Sequence, residues 1–452
     1  MTSEDRAPTS FRPAGGRRAG ASVMLRALRS RNYKLFVAGQ GVSLIGTWIQ
    51  QIALSWLVYT LTRSAFLLGV VGFSSQIGMF VLSPVGGVVA DRINRYRLLV
   101  ATQSLAMAQA LVIGVLVLAH AVAVWQIVAL SLFLGVVNAF DMPARQAFLV
   151  DMIEDREDLP NAIALNSSMV NGARLVGPAV AGLLIAAAGE GVCFMINAAS
   201  YLAVIAALLA MRIAPRRPHG RSRRIWPELR EGFAYTFGFA PTREILLLLA
   251  LVSVAAMPYS TLMPIFAVQL LHGGASTLGF LSGASGVGAL AGAVMLASRR
   301  SVRGLGRWIP IACAGFGAAL IGFSYSRSLP LSLLLQAGAG LAMITHLASS
   351  NTILQTIAGD EWRGRVMSFY GMAFIGMMPF GSLLAGILAH HIGAPRTVIL
   401  GGAVCIAGAA VFALRLPALR RLVQPIYRER GIIPEVAAGI EAATEGSVSE
   451  RP

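Results

Sequence analysis

The chain has 452 residues, of which 56% are apolar and 13% are charged, and its formal net charge is +17. A soluble globular protein carries about a quarter charged residues, so this composition excludes a protein that exposes most of its surface to water. Nucleic acid is not expected as a partner, because the arginines stand in short clusters between apolar runs rather than along one stripe.

The apolar runs predict an all-α integral membrane protein with twelve membrane-spanning helices, since a bilayer requires about twenty residues per span. The predicted spans are residues 35–61, 66–90, 98–118, 123–140, 162–188, 192–211, 245–271, 278–297, 308–325, 329–354, 367–389 and 398–414. A soluble all-helical protein is the alternative. It is disfavoured because too many of the runs reach spanning length.

The long polar stretch between the two sets of six spans predicts two six-helix halves. The predicted parts are a basic N-terminal tail at 1–30, a bundle at 31–213, a linker at 214–243, a bundle at 244–416 and a tail at 417–452. The linker is basic and partly amphipathic. Arginines concentrate in alternate loops, in both tails and in the linker. Because cytoplasmic loops accumulate arginine and lysine, we expect a multi-pass protein of the cell membrane with both termini in the cytoplasm.

Identical residues recur at a constant spacing in the two predicted halves. The matched pairs are Glu157 and Glu361, Gly177 and Gly381, Gly182 and Gly386, and Leu184 and Leu388. In each half a short acidic loop precedes a glycine-rich helix, which is the fifth span in the first half and the eleventh in the second. The repeat predicts two similar halves related by an axis along the membrane normal.

The loop between the second and third predicted spans reads GGVVADRINRYR over residues 86–97. It resembles the loop signature of the major facilitator superfamily, with Asn94 where that signature usually has glycine. Both residues tolerate a left-handed turn. The resemblance implies a twelve-helix small-molecule transporter whose two halves are held together by this loop in the outward-facing state.

The residues that the resemblance assigns to this conformational latch are Gly87, Asp91, Arg92, Arg95 and Arg97. Gly87 is expected to let two helices approach closely. Asp91 is expected to face a helix N-terminus or an arginine. The alternative is a plain basic loop with a single aspartate and no such role.

A second pattern surrounds the fifth span, where PARQAF, DLPNAIALNS and AR..GPA.AG follow one another within residues 143–182. It is similar to the facilitator branch that includes macrolide exporters and the enterobactin exporter. The helix also approximates the antiporter signature of exporters, with Ala173 and Ala181 in place of glycines. The residues carried over to this helix are Arg174, Gly177, Pro178 and Gly182.

The resemblance implies export. The glycines of this helix are expected to form a tight crossing that seals the inner half, and Pro178 is expected to bend the helix. A kinked, closely packed helix without directional meaning is the alternative.

Ionisable groups inside the membrane are costly and usually functional. Candidates for a proton or charge relay are Asp141, Arg145 and His346, and Asp141 is preferred as proton carrier because the first span has no acidic residue. Arg174 is expected to pair with Asp141 or Asp91, or else to face an anionic substrate. A lone histidine in an apolar helix is more often a packed, hydrogen-bonded residue, which is the favoured interpretation of His346.

Spans one, four, seven and ten line the central cavity in the major facilitator fold. The candidate cavity residues are Gln40, Trp48, Gln51, Phe133, Asn138, Tyr259, Met263, Gln269 and Gln336. Aromatic, methionine and amide side chains suit a bulky amphipathic small molecule. Pro258 and Pro264 are expected to break the seventh span.

No catalytic set and no phosphate-binding loop is visible, so we expect no enzyme, no ATP drive and no cofactor. The three cysteines lie in apolar runs, and the acidic residues before spans five and eleven are interpreted as helix caps, so no metal is expected. The expected partners are a small molecule, a coupling ion such as H⁺ and the lipid bilayer, around a monomer. An importer and a polytopic enzyme or receptor are the alternatives.

Overall fold

The computed structural model of the chain describes residues 26–153, 156–212, 225–299, 302–430 and 432. These residues form helices and short connections, and they include eleven helical stretches that are long and apolar enough to cross a membrane. The spans that need no further division are α1 Arg31–Thr62, α2 Ala65–Arg92, α3 Arg95–Leu118, α4 Val124–Asp151, α7 Ala240–Leu270, α8 Ala275–Ala297, α9 Leu305–Tyr325, α10 Leu329–Ile357, α11 Arg363–Ile392 and α12 Ala394–Glu429.

The remaining stretch, Leu159–Ala210, contains two spans. Its 52 residues would extend ~78 Å as one helix, more than twice the thickness of a bilayer core. Gly189 interrupts the helix with φ 80° and ψ 171°, a backbone conformation that glycine adopts without strain. We therefore divide the stretch into α5, residues 159–188, and α6, residues 190–210.

Contacts with α1 show that α5 and α6 run in opposite directions. The Tyr33 hydroxyl, at the start of α1, donates a 2.8 Å hydrogen bond to the carbonyl of Ala162 at the start of α5. Gly39, two turns later, packs against Ala203 near the end of α6. The start of α5 and the end of α6 thus lie at the same end of the bundle, which confirms twelve spans.

Two spans are irregular. The seventh is broken near Pro258, as predicted. It is regular over Ala240–Ala255, resumes over Tyr259–Ile265 and ends in a π-helical segment. Proline lacks the N–H that a continuous helix requires. The eleventh span contains a π-helical segment at Met372–Gly376 that was not predicted.

The two six-helix halves meet at two matching helix crossings. At the first, a Cβ built on Gly69 of α2 would lie 2.8 Å from the Cα of Gly386 of α11. At the second, a Cβ built on Gly279 of α8 would lie 2.8 Å from the Cα of Gly182 of α5. No side chain fits at such distances. The repeated glycines Gly182 and Gly386 therefore occupy equivalent positions in the two halves.

The other repeated glycine pair packs within the halves. Gly177 of α5 faces the Cβ of Trp48 in α1, and a Cβ on Gly381 of α11 would lie 2.7 Å from Pro258 of α7. Each half therefore uses one glycine of its fifth helix to hold its own first helix. It uses a second glycine, five residues later, to hold the other half.

We call the end of the bundle at which α1 begins and α2 ends the basic end, and the opposite end the far end. A linker helix, Ile225–Gly238, lies at the basic end. Its Tyr235 ring stacks on Trp362 at a centroid distance of 4.7 Å, just before α11 begins. Residues 214–224 of the predicted basic linker and most of both predicted tails lie outside the described residues, and residues 240–243 of the predicted linker belong to α7.

The acidic residues before α5 and α11 do not cap those helices with their side chains. Asp158 is the N-cap residue of α5 but makes no side-chain cap hydrogen bond, and instead pairs with Arg26 at 3.0 Å. Asp360 pairs with Arg363 at 2.5 Å, and Trp362 holds the N-cap position of α11. For Asp158 and Asp360 the capping interpretation is therefore wrong, because both carboxylates pair with arginines instead.

Substitution Gly182→Val is expected to open the far end, because the crossing with α8 has no room for a side chain and overpacking costs about 1–3 kcal/mol. That cost is enough to shift a two-state population substantially. Spin labels on Ala188→Cys and His272→Cys, two exposed positions, should report longer distances by pulsed electron paramagnetic resonance. The native cysteines are buried.

Gly338→Val is the matched control, since a Cβ on Gly338 of α10 would meet nothing within 4 Å. It should leave the distance distribution as in the unsubstituted protein. An unchanged distribution in Gly182→Val would show that this crossing does not hold the far end closed.

Candidate functional site

The two halves are in contact toward the far end and separate toward the basic end. On α5, Ser168, Leu175 and Gly182 recur every seven residues and therefore share one helix face. Gly182 and Leu175 contact α8, whereas Ser168 is exposed. On the matching face of α11, Gly386 contacts α2 and Met372 is 52% exposed. From this change in contact we infer that the halves diverge on the basic side of Leu175, and we call the space between them there the central gap.

Arg174 lies beside Leu175, where the halves separate. Its guanidinium carbon is 5.9 Å from the ring centroid of Trp48, and its Nη2 atom is 4.0 Å from the sulfur of Met343. Trp48 and Met343 stand near the middle of α1 and α10. Tyr259 of α7 is close enough to interact with the guanidinium electrostatically. Side chains from both halves thus surround Arg174 at mid-membrane depth.

Among the described residues, no carboxylate lies within 4.0 Å of the Arg174 guanidinium. The two predicted partners are engaged elsewhere, Asp141 with Arg145 and Asp91 with Arg95. A charge at this depth is costly without a partner. The contact with Trp48 offsets only part of that cost, since a cation–π interaction is worth about 0.5–2 kcal/mol.

Asp141 lies inside the first half rather than in the central gap. Asp141 is 2% exposed, and its carboxylate accepts hydrogen bonds from Thr102 at 2.8 Å and Gln103 at 2.7 Å. It also forms an ion pair with Arg145, one helical turn further along α4. The carboxylate therefore joins α3 to α4 and is supplied with three donors.

Of the latch residues, Arg95 and Asp91 contact each other within the first half. The Arg95 guanidinium lies 2.9 Å from the carboxylate of Asp151 and 3.4 Å from that of Asp91. The Asp91 side chain remains 71% exposed, and Arg92 and Arg97 are exposed as well. Arg95 thus ties the end of α2 to the end of α4, and the Asp91 carboxylate points to solvent.

The predicted close approach at Gly87 is wrong. A Cβ on Gly87 would meet nothing within 4 Å, whereas one on the preceding Gly86 would lie 2.9 Å from the carbonyl carbon of Ala139 in α4. The close approach is at Gly86, one position before the predicted glycine, because the sequence of an apolar helix does not show which of its faces packs against protein.

The glycines of α5 form the tight crossing that was predicted, and they form it at the far end. Gly182 meets Ala275 and Gly279 at the far end of α8, and Pro178 is buried at the same crossing. The helix continues through Pro178, and the only non-helical residue within Leu159–Ala210 is Gly189. The crossing therefore lies opposite the basic end, which the predicted orientation assigns to the cytoplasm.

The predicted cavity residues divide into three groups. Trp48 and Tyr259 lie at Arg174, and Gln51 is exposed one turn beyond Trp48 on α1. Met263 and Gln336 instead pack against each other inside the second half, with Gln336 Nε2 3.7 Å from the Met263 sulfur.

The remaining candidates are not brought to Arg174 by any described contact. Gln40 is buried, Asn138 is half-buried, Phe133 is 40% exposed and Gln269 is exposed near the far end. His346 is buried in the second half, where its Nδ1 atom is 3.1 Å from the carbonyl oxygen of Ile309. Met343 was not predicted as a cavity residue, although it lies midway along the tenth span, as Trp48 does along the first.

A separate cavity of about 680 Å³ lies at the basic end of the second half. It combines apolar walls, including Ile245 and Phe412, with a rim that includes Arg307, Arg420 and Arg421. This cavity is formed by α7, α9, α10, α12 and the loop that precedes α9, all in the second half. It is therefore distinct from the central gap that contains Arg174.

Residues 23–440 match the protein family described as transmembrane secretion effector. The staphyloferrin A transporter of Staphylococcus aureus is 26% identical over 82% of this chain and 92% of its own length. The multidrug efflux pump Tap of Mycolicibacterium fortuitum is 26% identical over 83% of this chain and 93% of its own. Macrolide efflux protein A of Streptococcus pyogenes is 24% identical, with 82% and 93% covered.

Solved structures share the fold at lower identity. A bacterial homolog of the human lysosomal transporter Spinster, in an inward-facing and unoccupied conformation, superposes with a TM-score of 0.66 at 14% identity, covering 90% of this chain and 99% of the homolog. A POT family transporter in complex with 5-aminolevulinic acid gives 0.66 at 10% identity, with 86% and 97% covered.

Asp141→Asn is expected to lower the free energy of unfolding by on the order of 3 kcal/mol, because it leaves Arg145 without its counter-charge. The double variant Asp141→Asn, Arg145→Gln should regain most of this loss, because both charges are then removed. Thermal unfolding of the purified protein would measure both effects.

Asp360→Asn is the matched control, because it breaks an exposed pair with Arg363 and should change the stability little. If Asp141→Asn were as stable as the unsubstituted protein, the Asp141–Arg145 pair would have no structural role.

Proposed function

Because the chain belongs to the transmembrane secretion effector family of the major facilitator superfamily, we propose that it exports an amphipathic small molecule, such as a drug, macrolide or siderophore. Its relatives include an efflux pump for multiple drugs, a macrolide efflux protein and a siderophore transporter. The observation that carries the proposal is Arg174 with its ring of Trp48, Met343 and Tyr259, placed where the two halves separate. That site suits one molecule with both polar and apolar parts.

The basic end is proposed to face the cytoplasm, with both termini on that side of the cell membrane. Arginines of the described chain gather there, and loops rich in arginine are retained in the cytoplasm. They include Arg92, Arg95, Arg97, Arg303, Arg307, Arg363, Arg365, Arg420 and Arg421. With this orientation the described conformation faces inward, because its central gap opens at the basic end.

Transport is proposed to proceed by alternating access. The glycine crossings at Gly69–Gly386 and Gly182–Gly279 separate when the far end opens, and the basic end then closes. Asp91 is exposed in the inward-facing form and is free to contact the second half on closure. Since α2 packs along α11, the start of α11 is the surface that its carboxylate would meet, where helix N–H groups favour an anion.

Export is proposed to be coupled to protons, with Asp141 as carrier and Arg145 and His346 as further relay candidates. Asp141 is further from either end of its span than any other carboxylate in the described residues. Proton exchange at Asp141 would require α3 and α4 to rearrange, because Thr102, Gln103 and Arg145 enclose the carboxylate.

Asp91→Asn is expected to slow transport at least about tenfold without unfolding the protein, because the latch loses its charge while the Arg95–Asp151 pair remains. The measurement uses inside-out vesicles in which respiration builds a pH gradient that a fluorescent dye follows. Macrolides, lipophilic cations and catecholate siderophores are added in turn, and one class should dissipate the gradient through the unsubstituted protein only.

Glu429→Gln is the control, since it removes another exposed carboxylate at the basic end, at the last residue of α12, and should transport normally. Full transport by a well-folded Asp91→Asn protein would exclude the latch. No dissipation by any compound, with folded protein present, would count against proton-coupled export and favour an importer.

The double variant Asp141→Asn, Arg145→Gln tests the proton carrier in the same vesicles. We expect it to remain folded but to lose uphill export driven by the pH gradient, because α4 then has no titratable carboxylate except Asp151 at its last residue. Uphill, pH-driven export by this variant would exclude Asp141 as the carrier.

A further inference from the structure

We propose that Arg174 binds a carboxylate of the exported molecule, so that the substrate is an amphipathic anion. This inference rests on the proposed export function and names the chemical class that the central gap selects. It follows from the position of Arg174, from the absence of a protein carboxylate beside it and from the apolar groups around it.

Arg174 has no carboxylate partner among the described residues. Ionisable residues inside the membrane almost always pair with one another or mark a substrate pathway. The other deep arginine of the first half, Arg145, follows the first pattern with Asp141. The described contacts of the Arg174 guanidinium are with the Trp48 ring and the Met343 thioether, with Tyr259 nearby, and none of them is with a carboxylate. An arginine kept in this way has its donors available for a group that arrives from outside the chain.

A ligand can reach Arg174 through the central gap. Arg174 stands at the closed end of the central gap, because Gly286 of α8 packs on Leu175 beside it while Ser168 is exposed. A ligand that enters from the basic end therefore reaches Arg174 before it meets the glycine crossings. Trp48 of α1 and Met343 of α10 come from opposite halves, so a ligand bound there contacts both halves at once.

The groups at the site are complementary to a carboxylate on an apolar body. A guanidinium presents a planar fork of N–H donors that matches the two oxygens of a carboxylate. Trp48 and Met343 supply polarisable apolar surfaces beside it. One cation among apolar groups selects a molecule with one anionic group on an apolar body, and it disfavours cations.

The test compares two fluorescent probes of equal size, 7-(diethylamino)coumarin-3-carboxylic acid and the corresponding 3-carboxamide. Binding is followed by fluorescence anisotropy with the full chain in phosphatidylcholine nanodiscs, with empty nanodiscs as blank. The acid should bind about tenfold more tightly than the amide, as expected for charge-assisted hydrogen bonds. Arg174→Gln should abolish this preference, and Arg174→Lys should keep part of it, since lysine retains the charge but not the fork.

The control is Arg63→Gln, which removes another arginine that stacks on an aromatic ring, 5.4 Å from Tyr59, at the far end of α1. It should keep the preference for the acid. Size-exclusion chromatography checks that each variant is folded, which we expect because Arg174→Gln removes an unpaired charge from the membrane. Equal binding of acid and amide, no binding of the acid, or an undiminished preference in Arg174→Gln would overturn the inference.

The vesicle experiment separates this inference from the proposed function. Export of neutral or cationic compounds that is unaffected by Arg174→Gln would overturn the anion site and leave the exporter in place. A chain that binds the acid through Arg174 but moves no compound across the membrane would overturn export and leave the anion site in place.

Discussion

The contact of glycine with glycine between the two halves is the constraint on which the described conformation depends. In lipid, helices have no hydrophobic drive to associate with each other, so close packing of small residues must hold them together. Gly69 with Gly386 and Gly182 with Gly279 provide that packing twice, in equivalent places. Because both crossings lie toward the far end, the halves diverge toward the basic end, and the central gap is the space that this divergence leaves.

The polar and charged groups of the first half differ in where they find partners. Gln50 joins Gln109 at 3.0 Å and Asn197 at 2.7 Å, which links α1, α3 and α6, and Asp141 pairs with Arg145 within α4. Such networks rigidify a bundle. Arg174, which has no carboxylate partner among the described residues, instead contacts both halves through Trp48 and Met343.

The spans, the break near Pro258 and the repeat of α5 in α11 could be predicted from the sequence, because span length, proline and glycine act locally. The faces of the helices could not. A helix that is apolar all round gives no periodic signal to separate lipid from protein. Gly86 and Gly87 were confused for this reason, and Met263 and Gln336 were assigned to the cavity although they pack on each other. Arg174 was identified because a charge stands out in such a helix.

The docking of the linker helix on Trp362 has a consequence for the range of movement between the halves. Since Tyr235 fastens this helix to the second half, the chain that joins the halves is shortened to the segment between Arg212 and Ile225. An extended chain covers at most about 3.6 Å per residue, so this segment reaches no further than roughly 45 Å. The tether thus sets an upper limit on how wide the basic end can open, whatever the size of the molecule that enters there.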